Sequence, residues 1–416
     1  MKDGRVWIRF MLVAAFTAIS LTGTSRAGEN QTEAVVGFIS SLSGTFAGVS
    51  ETQRKAFVYA VEEKNAQGGL NMPWGKVTLN TIVADDEAKL DIGVQRFRDM
   101  LNNGAISAVG SSWNPMTTAL NEEAKIDPVI YISGSHGAID IFKKGIPAPC
   151  TFSSIFTPWT LGYLNGQSIM KTLGKTKIFY LERSDSWGQA IGEGLELACK
   201  DFGGEIVGRA QVPLGTVDFA SIINQVKPSG AEVFLVSMFG GDAIACVKQA
   251  YDMGIGNDII IYNCATTNVV AEGLPRASLE NMYGIHFFYW DISDLNLPEA
   301  AKKVNSFSEG YMKRWGEPPD SFSGATYMAM EVVFNGAEQS GSLDPLVISD
   351  YLKREGVETI KGNTRFRIDQ QSILEHAAFL VRGKGEAAAK GRFDYFEVMD
   401  VYGGESILPP LDYMGY

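Results

Sequence analysis

The 416-residue chain is 45% hydrophobic and 20% charged, long enough for two or three folded domains and too apolar for a disordered one. Its 36 Lys and Arg face 48 Asp and Glu, a net charge of −12. That leaves no cationic field for a polyphosphate and excludes nucleic acid as a partner.

In chain order, Lys2, Arg5 and Arg9 precede an apolar run from Phe10 to Leu21 that closes on Ser25-Arg26-Ala27. A charged start, a short apolar core and small residues before a cut predict a secretory signal peptide over 1–27; a buried N-terminal helix is the competing reading. The run is too short to cross a bilayer, which needs about 20 residues. Export would place the mature chain in the periplasm.

From residue 34, short runs rich in Val and Ile alternate with stretches of helical spacing. Strands are predicted at Ala34 to Ile39, Val77 to Val83, Ala105 to Gly110 and Pro128 to Ser133, with helices near 51–66, 88–103 and 115–126. The rhythm restarts with strands at Thr176 to Leu181, Glu205 to Val212, Glu232 to Ser237 and Asp258 to Tyr262, and helices near 187–202, 219–227 and 243–253. Apolar strands separated by helices imply parallel sheets covered on both faces, so the fold class is α/β with two doubly wound lobes. Asn114-Pro115 predicts a capping side chain with a first-turn proline, and Gly203 and Gly254 fall where helices should stop. The proline-bearing stretch between 140 and 160 suits a crossing between lobes. A helix pair near 298–315 and 322–340 and strand-like segments at Arg365 to Ile368 and Ala377 to Val381 follow, with a turn over Arg382 to Arg392.

Cys150, Cys199, Cys246 and Cys264 form no CxxC pair. In an exported chain they allow two disulfides, with Cys246–Cys264 preferred, or remain buried free thiols. His136, His286 and His376 lie too far apart to read as metal ligands, and no cofactor is expected.

Catalytic motifs are near misses. Ser43 to Gly48 lacks the GxGxxG spacing, and Gly69 to Lys76 has one residue too many for a phosphate loop, with Val77 where a hydroxyl belongs. Gly110 to Asn114 fails the last position of GxSxG. His136 beside Ser135 could act as a base only if adjacent side chains converged. Asp85-Asp86 and Glu122-Glu123 read as solvated groups near helix ends rather than acid/base pairs. The chain is expected to be a non-enzyme.

Ligands of open α/β sheets bind beyond the carboxyl ends of the strands. In the first lobe those ends are Ser40 to Phe46, Ser111 to Asn114 and Gly134 to Gly137, where helix amides could take a carboxylate. In the second they are Ser184 to Gly188, Met238 to Asp242 and Asn263 to Thr267. Trp113 facing Trp187 and Phe239 could clamp a flat apolar body. Trp187 could equally pack in the core, and Asp242 could cap its helix or meet the ligand.

An ordered set of short matches runs along the chain. They are Val36-Gly37 through Leu42-Ser43-Gly44, Glu63-Lys64-Asn65-Ala66-Gln67-Gly68-Gly69, Asp85-Asp86, Trp187-Gly188-Gln189, Asp218-Phe219 and Ala325-Thr326-Tyr327. In these the chain resembles the periplasmic solute-binding proteins of the leucine/isoleucine/valine-binding family, which serve ATP-driven importers. The resemblance implies a type I periplasmic-binding fold with three crossings near 150–153, 284–288 and 359–364. Residues 34–150 plus 287–360 would form lobe 1, residues 151–286 plus 361–405 lobe 2, and 406–416 a C-terminal tail.

It further implies a monomer that closes around a small organic solute and delivers it to an ABC permease; a sensing subunit of the same fold is the alternative. The family's lobe 1 loops match Trp113-Asn114 and Ser135-His136-Gly137, its lobe 2 aromatics match Trp187 and Phe239, and its acidic ammonium partner falls on Ala265. Asn114 and Gly137 replace the usual hydroxyl residues, and Ala265 carries no acid. Burying an ammonium group without a carboxylate costs several kcal/mol. A carboxylate, aromatic or amide solute therefore fits better than an α-amino acid unless Asp242 reaches in.

Overall fold

A computed structural model of the chain describes residues 31–134 and 138–416. The expected signal peptide and the Ser135-His136-Gly137 loop lie outside the described residues. Among the described residues no helix is long and apolar enough to cross a membrane.

The first lobe opens with β1 (Glu33–Ser40), α1 (Ala47–Ala66), β2 (Leu70–Met72), β3 (Gly75–Asp85), α2 (Leu90–Asn102), β4 (Ala105–Gly110), α3 (Asn114–Ile126), β5 (Ile130–Ser133) and β6 (Thr151–Ser153). They form one six-stranded sheet in the order β2-β3-β1-β4-β5-β6, parallel except for the short β2–β3 hairpin. Helices on both faces bury its middle strands, which is why β4 reads as an unbroken apolar run with every residue buried. Because β1 pairs with β3 on one side and β4 on the other, chain order reverses beside β1 and leaves a crevice at its carboxyl end.

The second lobe contains α4 (Pro158–Gln167), β7 (Lys177–Arg183), α5 (Ser186–Phe202), β8 (Glu205–Val212), α6 (Ala220–Val226), β9 (Val233–Ser237), α7 (Gly240–Asp252), β10 (Ile260–Ala265), α8 (Asn268–Glu272) and β11 (Met282–His286). The chain then returns to the first lobe through α9 (Pro298–Trp315), α10 (Ser321–Ser340) and α11 (Pro345–Arg354). A small antiparallel sheet follows, of β12 (Val357–Thr359), β13 (Gly362–Phe366) and β14 (Ser372–Leu374). Finally β15 (Ala378–Gly383) and β16 (Phe396–Tyr402) complete the second sheet, ordered β16-β15-β11-β10-β9-β7-β8. Its five strands β8 to β11 with β7 are parallel, and the order reverses between β7 and β9.

Three crossings join the lobes, making this a type I periplasmic-binding architecture. The chain leaves the first sheet after Ser153, returns after His286 and leaves again after Leu374. The first two lie close to the expected positions. The third comes later than 359–364, because residues 357–374 form the small sheet, with β12 against α10 and β13 against α11. The crossings are laced together. Ser372 N–H donates to Ser153 Oγ at 2.7 Å, and the Phe156 and Phe287 rings stack at 3.5 Å. Lys361 Nζ donates to the carbonyls of Phe287 and, at 3.4 Å, Ala377.

Several local expectations change. All four cysteines are buried free thiols, so the preferred Cys246–Cys264 bridge is not formed. Cys264 Sγ turns to the Met238 carbonyl at 3.8 Å, while Cys246 faces the core from α7. Burial pushes Cys150 and Cys199 up to about 11 and Cys264 to about 12, leaving inert protonated thiols at neutral pH. Asn114 does not cap α3; Trp113 holds the cap position and Asn114 is already helical. Asp86 is fully buried rather than solvated. Gly203 does end α5 in the left-handed region, with φ 76°.

Candidate functional site

Both order reversals open onto one cleft between the lobes. It encloses about 160 Å³, between Phe46, Val49, Ser112, Trp113, Asn114 and Pro115 on the first lobe and Arg183, Asp185, Ser186, Trp187, Leu214 and Phe239 on the second. Every one of these residues follows a strand's carboxyl end, or is that end, so sheet topology alone brings them together.

Buried hydroxyls bonded to one another support the first wall. Ser40 Oγ lies 2.9 Å from Ser50 Oγ and 3.1 Å from Ser112 Oγ, and Ser112 Oγ donates to Gln53 Oε1 at 2.5 Å. Behind them the buried Asp86 carboxylate accepts from Ser41 Oγ at 2.5 Å, Ser111 Oγ at 2.7 Å and Ala88 N–H at 2.9 Å. Asp85 Oδ1 in turn accepts the N–H groups of Leu42 and Glu87. The two carboxylates therefore fix the loops after β1, β3 and β4, and neither faces the other as an acid/base partner. Close approach of β4 to β1 requires glycine at 110, where φ is 134° and a Cβ would stand 1.7 Å from the Ile39 carbonyl oxygen.

The second wall is charged. Arg183 ends β7, and its Nε donates to Asp185 Oδ2 at 2.6 Å while its Cζ sits 4.3 Å from the centre of the Trp187 ring. Asp185 caps α5 through its other oxygen, accepting Gly188 N–H at 3.0 Å. The Trp187-Gly188 pair has a steric reason: a Cβ on Gly188 would meet the Arg183 carbonyl oxygen at 1.9 Å, so only glycine lets α5 begin against β7. Phe239 packs edge-on against Phe322 of α10 at 5.3 Å, so a ring of one lobe touches the other at the cleft margin.

Of the residues singled out from sequence, Trp113, Asn114, Trp187 and Phe239 meet in this cleft. Trp187 packs in the core, 3% exposed, and also lines the cavity. Asp242 is not among the lining residues and is not a side-chain cap; its Oδ2 accepts Gly215 N–H at 2.8 Å and holds the loop after β8. Ala265 is buried at the end of β10.

Sequence reasoning passed over Arg183 and Asp185. The strand before them was expected to stop at Leu181, whereas pairing with β8 carries β7 on to Arg183 opposite Val212. The signal was present in the polar Glu182-Arg183-Ser184-Asp185 run at a strand's carboxyl end.

A family profile described as periplasmic binding protein matches residues 33–391 of this sequence. The chain belongs to that family. A Leu/Ile/Val-binding protein homolog 2 of Brucella abortus (strain 2308) is 22% identical over 404 residues, covering 93% of this periplasmic binding protein and 98% of the relative. A substrate-binding protein of an amino acid ABC transporter from Pseudomonas fluorescens Pf-5 superposes with TM-score 0.81 at 19% identity, over 92% and 98% of the two chains. A solute-binding protein from R. palustris, solved with benzoate, gives TM-score 0.74 at 16% identity over 90% and 97%. The architecture of this periplasmic binding protein is thus found in proteins described by different solutes, and family membership implies a periplasmic location.

Proposed function

We propose that this chain is the extracytoplasmic receptor of an ABC-type importer, capturing one small organic solute between its lobes and handing it to the membrane permease. The observation that carries the reading is the cleft at both order reversals, with aromatic side chains contributed by each lobe. Trp113, Asn114, Arg183, Trp187 and Phe239 are assigned to the solute. A solute touching both walls favours the closed arrangement through contacts that the open one lacks, and the crossings supply the hinge. The protein acts as a monomer, is exported by residues 1–27 and catalyses no reaction. The names of the relatives and structural neighbours favour transport over the sensing alternative.

The test is to purify the exported protein, denature it and identify released small molecules by mass spectrometry, then return each to solute-free protein and follow its melting. A solute bound only by the folded state raises the melting temperature. Absence of any released solute, together with no shift across a broad panel of small organic molecules, would overturn the reading.

A further inference from the structure

We propose, on the basis of that reading, that Arg183 is the anion receptor of the cleft and that the solute is a carboxylate with a flat apolar body and no ammonium group. Among the described residues lining the cleft, Arg183 and Asp185 are the charged ones, and they face each other at 2.6 Å. Their hydrogen-bonding capacity is unequal. Each Asp185 oxygen already accepts one bond, from Gly188 N–H and from Arg183 Nε, which is half of what a carboxylate can accept. Arg183 spends only Nε on that pair, and its two terminal nitrogens have no protein hydrogen bond among the described residues.

The Arg183 Cζ sits over the Trp187 ring, 4.3 Å from its centre, and the arginine side chain is only 12% exposed. The pre-set fork matches the two oxygens of a carboxylate.

The nearby acids are occupied elsewhere. Glu182 accepts from Gln211 Nε2 and lies 3.6 Å from Arg209, and Asp242 is tied to Gly215 N–H. An ammonium group in the cleft would lose water and meet only Asp185, whose charge Arg183 already neutralises. Beside the fork, Phe46, Trp113, Trp187, Leu214 and Phe239 present apolar and aromatic surface from both lobes.

Calorimetric titration of solute-free protein with three probes tests this: 3-phenylpropanoate, its amide, and phenylalanine, which adds only the ammonium group. Wild type is expected to bind 3-phenylpropanoate at least about tenfold more tightly than either of the others, the value of one hydrogen bond to a charged group. Arg183→Met should bind acid and amide alike, and Arg183→Lys, which keeps the charge but not the fork, should fall between; circular dichroism confirms that both variants fold. Phenylalanine binding as tightly as 3-phenylpropanoate, or Arg183→Met retaining the preference for the acid, would overturn the proposal. So would wild type that binds none of the probes, an outcome that leaves the importer reading to be judged by the released solute.

Discussion

The two walls of the cleft solve the same geometric problem with opposite chemistry. The first wall is neutral at its surface and satisfied from within: Ser40, Ser50, Ser112 and Gln53 bond to one another, and Asp86 ties the loops behind them. The second wall presents an arginine whose hydrogen bonds are only partly spent, stacked on a tryptophan that roots it in the core. A wall that satisfies itself keeps its shape without a ligand, whereas a wall with spare donors gains most when a ligand arrives. Substitutions among the mutually bonded groups that support the first wall should therefore move stability, and those of Arg183 and Trp187 in the second should move affinity.

The largest expected effect belongs to Asp86→Ala. It leaves two hydroxyls and one backbone N–H without their acceptor, and denaturant unfolding should show a loss of about 3 kcal/mol. A stable variant with weakened binding would reverse the assignment of roles. Next comes Trp187→Ala, which should weaken binding of the co-purified solute by about 2 kcal/mol, the value of a buried aromatic face. Equal affinities in wild type and variant would remove the second wall from the site. Ser112→Ala deletes the donor to Gln53 Oε1 and should cost about 1 kcal/mol of stability with less change in affinity, measured by melting and titration of the same sample.

A pH-dependent effect is expected at the hinge. Burial alone draws the Lys361 ammonium from 10.5 down to about 7. The unfolded chain keeps that proton up to its higher pKa, so between about pH 7 and about pH 10 the unfolded state binds more protons and this residue's contribution to stability rises with pH. Below about pH 7 both states are protonated and the contribution is flat. Lys361→Met should lose the rise, so its melting temperature relative to wild type should fall across that window; a constant difference would refute the burial cost. The smallest effect is Asp242→Ala, expected within about 0.5 kcal/mol in both affinity and stability. A large loss of affinity would bring Asp242 into the site after all.

Much of the fold was legible because parallel strands buried on both faces leave an uninterrupted apolar run. Ala105–Gly110, buried at every residue, matches expectation residue for residue; the bounds of Glu205–Val212 also match, although it is a partly exposed edge strand. Helix α4 was not legible. The prolines around it suggested irregular chain, yet Pro158 sits in its first turn, and eight of its ten residues are buried, which erases the one-sided pattern that betrays a surface helix. Strand β11 was missed although its neighbours were found, and α11 likewise. At the site, the aromatic residues were found by their type and loop position. Arg183 was missed because strand pairing, which no single segment records, moved the end of β7 by two residues.

By itself the sequence determined the alternation of strands and helices, the two-lobe plan and four of the loops that line the cleft, because periodicity and caps act over a few neighbouring residues. Only the tertiary structure decided that Asp242 serves a loop, that the cysteines stay apart, that Asp86 is buried, and that Arg183 retains spare donors beside Trp187. Those outcomes depend on which distant groups compete for the same hydrogen-bonding atoms, and that competition exists only once the chain is packed.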